Sequence, residues 1–155
     1  MRILICVLVV VLLSGTAPLG WTQGDPAKEV AEIRAKQGAA GANGDVDGVL
    51  ANWADNGVLT PGRAGFRIEG KDAIRAFLTN LYANYPTRQG LARQVTYRVY
   101  QNGNVVVVNS YTDQTFIDKS GRISPRLARN SQTWVKDGGR WLLVDSHNSN
   151  MPGTD

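Results

Sequence analysis

The sequence predicts an α+β domain whose N-terminal helices pack against an antiparallel sheet. Three observations carry that expectation. Up to Tyr85, apolar residues recur at helical spacing. Beyond Pro86 the period shortens to two, as in half-buried strands. Three turn signals, Asn102-Gly103, Lys119-Ser120-Gly121 and Asp137-Gly138-Gly139, divide that second half into four consecutive strands. Helices first and strands later is the α+β order, not the alternation that builds a parallel α/β sheet.

The chain opens on Arg2, an apolar run from Ile3 to Leu13, then small residues and Pro18. A basic start, a short apolar stretch and a small-residue end describe a secretory signal peptide over residues 1–24. A bilayer span needs about 20 apolar residues, and this run is shorter. Ala17, Gly20 and Gly24 are the candidate cleavage points. Secretion or delivery to a periplasm follows, with no membrane attachment once the leader is removed. The single cysteine, Cys6, lies in the leader, so the rest of the chain has neither a disulfide framework nor thiol chemistry. Cleavage leaves about 130 residues, the size of one domain. The net charge of +4 is spread over separated residues such as Arg67, Arg75, Arg88, Arg98 and Arg122. They form no run that would track phosphates, so nucleic acid is not an expected partner.

Asp25 and Pro26 suit the cap and first turn of a helix that runs to about Ala42. Val30, Ile33 and Gln37 share one stripe of it, and Ala27, Ala31, Ala35 and Ala39 favour the helical state. Asn43-Gly44-Asp45 breaks this helix, and Asp45 caps a second, short one. Val46, Val49, Leu50 and Trp53 give the short helix an apolar face. Asp55-Asn56-Gly57 then turns the chain into a short strand, Val58-Leu59-Thr60. Ile74, Phe77, Leu78, Leu81, Tyr82 and Tyr85 mark the clearest helix, from Asp72 to about Tyr85. Val95, Tyr97 and Val99 alternate with polar neighbours. Asn102-Gly103 reads as a two-residue hairpin turn, because both central positions take positive φ. The run Val105–Val108 opens a long strand to Phe116, Ala128 to Lys136 forms the next, and Arg140 to Ser149 the last.

These segments resemble the NTF2-like superfamily, in particular its SnoaL-like and DUF4440-type members. The resemblance rests on Gly44-Asp45-Val46-Asp47-Gly48-Val49, Trp53-Ala54-Asp55-Asn56-Gly57-Val58-Leu59, and Gly70-Lys71-Asp72-Ala73-Ile74-Arg75-Ala76-Phe77. The closing strand, Arg140-Trp141-Leu142-Leu143-Val144-Asp145-Ser146-His147-Asn148-Ser149, is similar to the branch of SgcJ/EcaC-type proteins and the association domain of a calmodulin-dependent kinase. The resemblance covers residues 25–152. It implies a cone, in which a curved antiparallel sheet wraps the long helix and leaves a pocket at the open end. It also implies a homodimer that pairs through the open sheet face, with Trp134 and Trp141 as interface candidates. The superfamily includes isomerases, dehydratases, ligand binders and assembly modules, so the fold gives a site and not a reaction.

Where isomerase-like members carry a tyrosine on the first helix, this chain has Gln37. Where they carry an aspartate on the first strand, it has Thr60-Pro61. One histidine and no cysteine outside the leader leave no ligand set for zinc or a transition metal, and no metal or cofactor is expected. Asp145, His147 and Ser149 share a strand face, about 6–7 Å apart, too far for a nucleophile and its base. A polar-lined cavity is the better reading of the later strands. Its candidate wall comprises Gln37, Trp53, Asn109, Tyr111, Asp113, Arg129, Thr133 and His147. Phe77, Leu81, Tyr97, Trp134 and Trp141 are further apolar candidates, and Arg126 or Arg129 is the group to meet a carboxylate. His147 and Asp113 are the candidate acid–base residues. Three functions stay open: an exported binder of a small apolar or carboxylate-bearing molecule, an acid–base enzyme on a small apolar substrate, and a dimeric assembly module. A proton acceptor facing the cavity separates the first two, and a cone filled by side chains favours the third.

Overall fold

The computed structural model describes residues 24–62 and 66–151. The leader and its cleavage points Ala17 and Gly20 lie outside those residues. Helix α1 (Pro26–Ala42) starts where Asp25 accepts from the backbone N–H of Ala27 at 3.0 Å, with Pro26 in the first turn. Helix α2 (Val46–Leu50) is capped by Asp45, which accepts from Gly48 N–H at 2.9 Å. It stops before Trp53, which opens strand β1 (Trp53–Thr60) instead of closing the helical face. The reason is competition from the sheet. Asn52 accepts from Leu143 N–H at 2.7 Å and donates its amide to the Trp141 carbonyl at 3.0 Å, so the chain is already bound to the sheet there. A two-residue strand β2 (Ile68–Glu69) precedes α3 (Lys71–Asn84).

The meander follows: β3 (Thr87–Tyr100), β4 (Val105–Ile117), β5 (Ile123–Asp137) and β6 (Arg140–Asn150). The sheet order is β2-β1-β6-β5-β4-β3. Its pairs are antiparallel except β1–β6, which run parallel, so the sheet is mixed. β1 meets β6 only after the whole meander has intervened, and a connection of that length permits a parallel pair. The β3–β4 turn is longer than a two-residue hairpin. Gln101, Asn102 and Gly103 all take positive φ, at 52°, 52° and 88°.

Directly opposite residues of an antiparallel pair project on one face of the sheet. Along β4, Val106, Val108, Ser110, Thr112, Gln114 and Phe116 face the helices, opposite Trp134, Gln132, Asn130, Ala128, Arg126 and Ser124 of β5. The core occupies one end of this concave face. Val30, Leu50, Ile74, Val106, Val108, Trp134 and Leu143 are at most 1% exposed there. From Ser110 onward the same face turns polar. The curved sheet therefore forms a cone, closed by apolar packing at one end and lined by polar groups toward the other.

Candidate functional site

One side of α1 carries a stripe of short residues, Ala31, Ala35, Gly38 and Ala42, at i, i+4, i+7 and i+11, beside the face that packs Val30 into the core. Their short side chains hold the helix above the sheet without filling the gap. A cavity of about 590 Å³ results, and all four residues line it. Its sheet wall carries Thr112, Gln114, Phe116, Asn130, Gln132, Ser146 and Asn148, and its apolar wall Leu59, Leu78, Leu81 and Leu143. The cone is hollow.

Three guanidinium groups lie in or beside it, and they are held differently. Arg88 donates to the Gly41 carbonyl at 2.9 Å and to that of Tyr85, so it binds carbonyls at the ends of α1 and α3. That is the place where helix dipoles favour a cation. Its guanidinium also lies 3.9 Å from the Tyr82 ring centroid. Burial raises the Tyr82 hydroxyl pKa, and the nearby Arg88 charge partly opposes that shift. Arg126 lies 4.5 Å from the ring centroid of Phe116, which meets Tyr85 edge-on. Arg34 is set differently. Its Nε donates to Gln132 Oε1 at 2.7 Å and its Nη1 to the Tyr97 hydroxyl at 3.0 Å. Both acceptors are neutral. Among the described residues, Arg34 forms no ion pair. Gln132 Oε1 also accepts from Trp134 Nε1 at 3.2 Å, which anchors the amide that orients Arg34.

Of the residues expected at the cavity, Gln37 and Trp53 line it, and Gln37 donates to the Val49 carbonyl at 2.9 Å. Leu81 and Tyr97 line it too, while Phe77 packs against the core. Asn109, Tyr111, Asp113, Arg129, Thr133 and His147 all fall on the convex face of the sheet. Asn109 accepts from Arg98 at 2.8 Å and donates to Ser131 at 3.0 Å. Asp113 pairs with Arg93 at 2.5 Å. Tyr111 lies opposite Arg129, Thr133 opposite Asp145, and His147 opposite Ser131. Tyr111, Arg129 and His147 are exposed. A side-chain period of two makes this an all-or-none inversion: assigning the face one residue out moves each side chain across the sheet. Neither His147 nor Asp113 therefore reaches the cavity as acid or base. Asp145, His147 and Ser149 form no hydrogen-bonded trio among the described residues. Trp134 and Trp141, at 0% and 3% exposure, belong to the interior and not to a subunit interface.

The cavity lining contains no aspartate, glutamate or histidine. Among the described residues, no group of three or more such side chains stands together as a metal site requires. What the lining does hold is two guanidinium groups, Arg34 and Arg88, with several amides, hydroxyls and aromatic rings. Arg34 is a cavity-lining charge that the sequence reading missed. Its signal was the Ala31, Ala35, Gly38, Ala42 stripe, which borders the cavity.

The family model of the calcium/calmodulin dependent protein kinase II association domain matches residues 26–152. The chain belongs to that family. Its fold is that of the NTF2-like superfamily. Among solved structures, a candidate association domain of this family from Xanthomonas campestris is 26% identical, with a TM-score of 0.72 over 81% of this chain and 88% of its own. A candidate dehydratase of the NTF2-like family from Streptomyces avermitilis is 15% identical, with a TM-score of 0.71 over 80% and 95%. A protein from Catenulispora acidiphila, solved in complex with S-DNPA, is 18% identical, with a TM-score of 0.67 over 79% and 91%. None of the curated proteins is a match to the chain. Superfamily neighbours thus include both candidate dehydratases and a ligand complex, in keeping with a small-molecule-binding domain.

Proposed function

We propose that this domain binds a small molecule with a carboxylate head and an apolar body, and that Arg34 receives the head. The observation that carries this reading is the setting of Arg34. A guanidinium lines a partly enclosed cavity, held by two neutral oxygens, with no acidic side chain in the lining. Removing a charge from water is costly unless it is paired. Nη2 and one Nη1 hydrogen remain for the planar, bidentate grip that suits a carboxylate. Acid–base catalysis finds less support, because no carboxylate or imidazole lines the cavity to accept a proton.

Titration calorimetry with phenylbutyrate, an aryl monocarboxylate, tests the proposal. Millimolar or tighter binding is expected. Arg34→Gln is expected to weaken it about 10- to 100-fold, the value of a hydrogen bond to a charged group. Equal affinity in the variant overturns the reading. The domain is further proposed to act outside the cytoplasm, delivered by the N-terminal leader. It is also proposed to pair as a homodimer through the convex sheet face, where Tyr111, Arg129 and His147 are exposed. The mature mass and subunit number seen in native mass spectrometry of protein from its source check both points.

A further inference from the structure

Gln132 stands on the concave face of β5, half-buried, and lines the cavity. The two ends of its amide are differently placed. Oε1 accepts from Arg34 Nε at 2.7 Å and from Trp134 Nε1 at 3.2 Å. A guanidinium and an indole can only donate, so both N–H groups require an oxygen at that point. Turning the amide over would set its NH2 against them and leave the indole of Trp134, at 0% exposure, without an acceptor. The amide is therefore locked, and Nε2 with its two hydrogens points away from both donors. Among the described residues no acceptor meets Nε2, and it is not one of the side-chain atoms sealed from solvent without a partner. β5 lies between β4 and β6, so an open atom on its concave face borders the space under the helices. The neighbouring pair is not locked in this way. Asn130 donates to Asn148 Oδ1 at 2.9 Å, and turning both amides over gives an equivalent bond.

We infer that Gln132 is a specificity-determining residue whose Nε2 donates to an oxygen on the carbon next to the ligand's carboxylate, so that the ligand class is the α-oxo acids. This inference rests on the carboxylate reading above. The free Nη hydrogens of Arg34 take the two carboxylate oxygens. Gln132 is bonded to Nε of that same guanidinium, so its Nε2 flanks the bound head and serves atoms close to it. Beyond the carboxylate itself, the nearest such atom is the substituent on the adjacent carbon. A ketone oxygen there only accepts, which suits a donor that cannot turn round. A methylene there would leave the amide facing hydrocarbon. Leu59, Leu78, Leu81 and Leu143 then meet the rest of the molecule. Two fixed donor groups side by side set the ligand's orientation as well as its affinity.

Benzylpyruvate, benzoylpropionate and phenylbutyrate serve as probes on the full chain. The first two are isomers, each a phenylbutyrate with a ketone in place of one methylene. The ketone lies next to the carboxylate in benzylpyruvate and next to the ring in benzoylpropionate. Calorimetry is expected to give benzylpyruvate about 5- to 10-fold tighter binding than either of the others, the value of one neutral hydrogen bond. Gln132→Met, similar in length and volume but without the donor, brings the benzylpyruvate-to-phenylbutyrate ratio to about one. Both acids lose the oxygen that orients Arg34, so the ratio and not the absolute affinity is the readout. Arg34→Gln weakens all three acids. Nitrogen-15 NMR of the unmutated protein needs no variant to fold: the Gln132 side-chain amide protons move downfield with benzylpyruvate and not with phenylbutyrate. A ratio that survives Gln132→Met, benzoylpropionate bound as tightly as benzylpyruvate, or amide protons that stay in place with benzylpyruvate bound overturns the inference. If benzylpyruvate and phenylbutyrate bind equally and through Arg34, the carboxylate reading stands and the Gln132 assignment falls. If no acid binds, or if Arg34 is immaterial to all three, the carboxylate reading falls and this one with it.

Discussion

Gly38 sits in the middle of the 17-residue helix α1, where glycine is a poor choice. In a helix interior it costs about 0.8–1 kcal/mol relative to alanine, mainly in backbone entropy. A methyl group added there would meet nothing within 4 Å, so no steric cost offsets the gain. Gly38→Ala should therefore stabilise the domain by about 0.5–1 kcal/mol. For a domain of this size that raises Tm by roughly 2–6 °C. Gly38→Leu keeps the helical gain but sends its side chain into the 590 Å³ cavity that α1 roofs. Thermal melts of both variants should shift upward, while calorimetry shows phenylbutyrate binding lost only in the leucine variant. The pair would then separate helix stability from cavity space at one position. A lower Tm in Gly38→Ala would refute the claim of open space above the sheet. Unchanged affinity in Gly38→Leu would refute the claim that the ligand lies under α1.

Two further outcomes are expected. Glu29 accepts from Lys136 Nζ at 2.9 Å and Trp141 Nε1 at 2.6 Å, and these bonds, Lys136 first, lower its pKa. A lowered folded pKa stabilises the fold above the ordinary carboxylate range, and that contribution disappears as pH falls through the lowered value. Glu29→Gln should therefore flatten the acid side of the stability profile, from about pH 5 downward, in urea melts taken against pH. His147→Ala and Asp113→Asn alter the convex face alone, so phenylbutyrate affinity should stay within about twofold, as for surface changes remote from a site. A larger loss in either would place the ligand on the wrong side of the sheet.

The helices were legible because their signals are local. Asp25-Pro26 and Asp45 act as caps where their chemistry suggests, and the stripe through Ile74, Leu78 and Leu81 faces inward. The strands were legible as strands, and their faces were not. On β4 the run Val105–Val108 carries no parity, since every position in it is apolar. After it, Asn109, Tyr111 and Asp113 on one face are as polar as Ser110, Thr112 and Gln114 on the other. A cavity with a polar wall erases the alternation that normally separates core from solvent. β6 adds a second obstacle. Trp134 pairs with Leu143 and Thr133 with Asp145, so Val144 is an extra residue that shifts the register. Trp141 and Leu143 point inward before the bulge, and Ser146 lines the cavity after it. Strict alternation from Trp141 would have put His147 inside; the bulge puts it outside. On β5 the better guide was Trp134 itself. Taking that ring as interior brings Gln132 and Asn130 to the cavity, and with Gln132 comes Arg34.

The three arginines show why cation count alone does not locate a receptor. Arg88 is stabilised by carbonyls at two helix ends and by the Tyr82 face, an environment that holds a positive charge without any guest. Arg126 rests over Phe116. Both shape the mouth of the cone. Arg34 alone reaches the cavity from the middle of a helix, where no dipole end compensates it, and its two protein acceptors are an amide and a phenol. An amide and a phenol orient a guanidinium without neutralising it. This leaves the charge available to a carboxylate while fixing the direction of approach. The Ala and Gly stripe on the same helix opens the space into which such a molecule would fit. One helix thus provides both the room and the charge, and the sheet supplies the amide and the phenol that hold the charge in place.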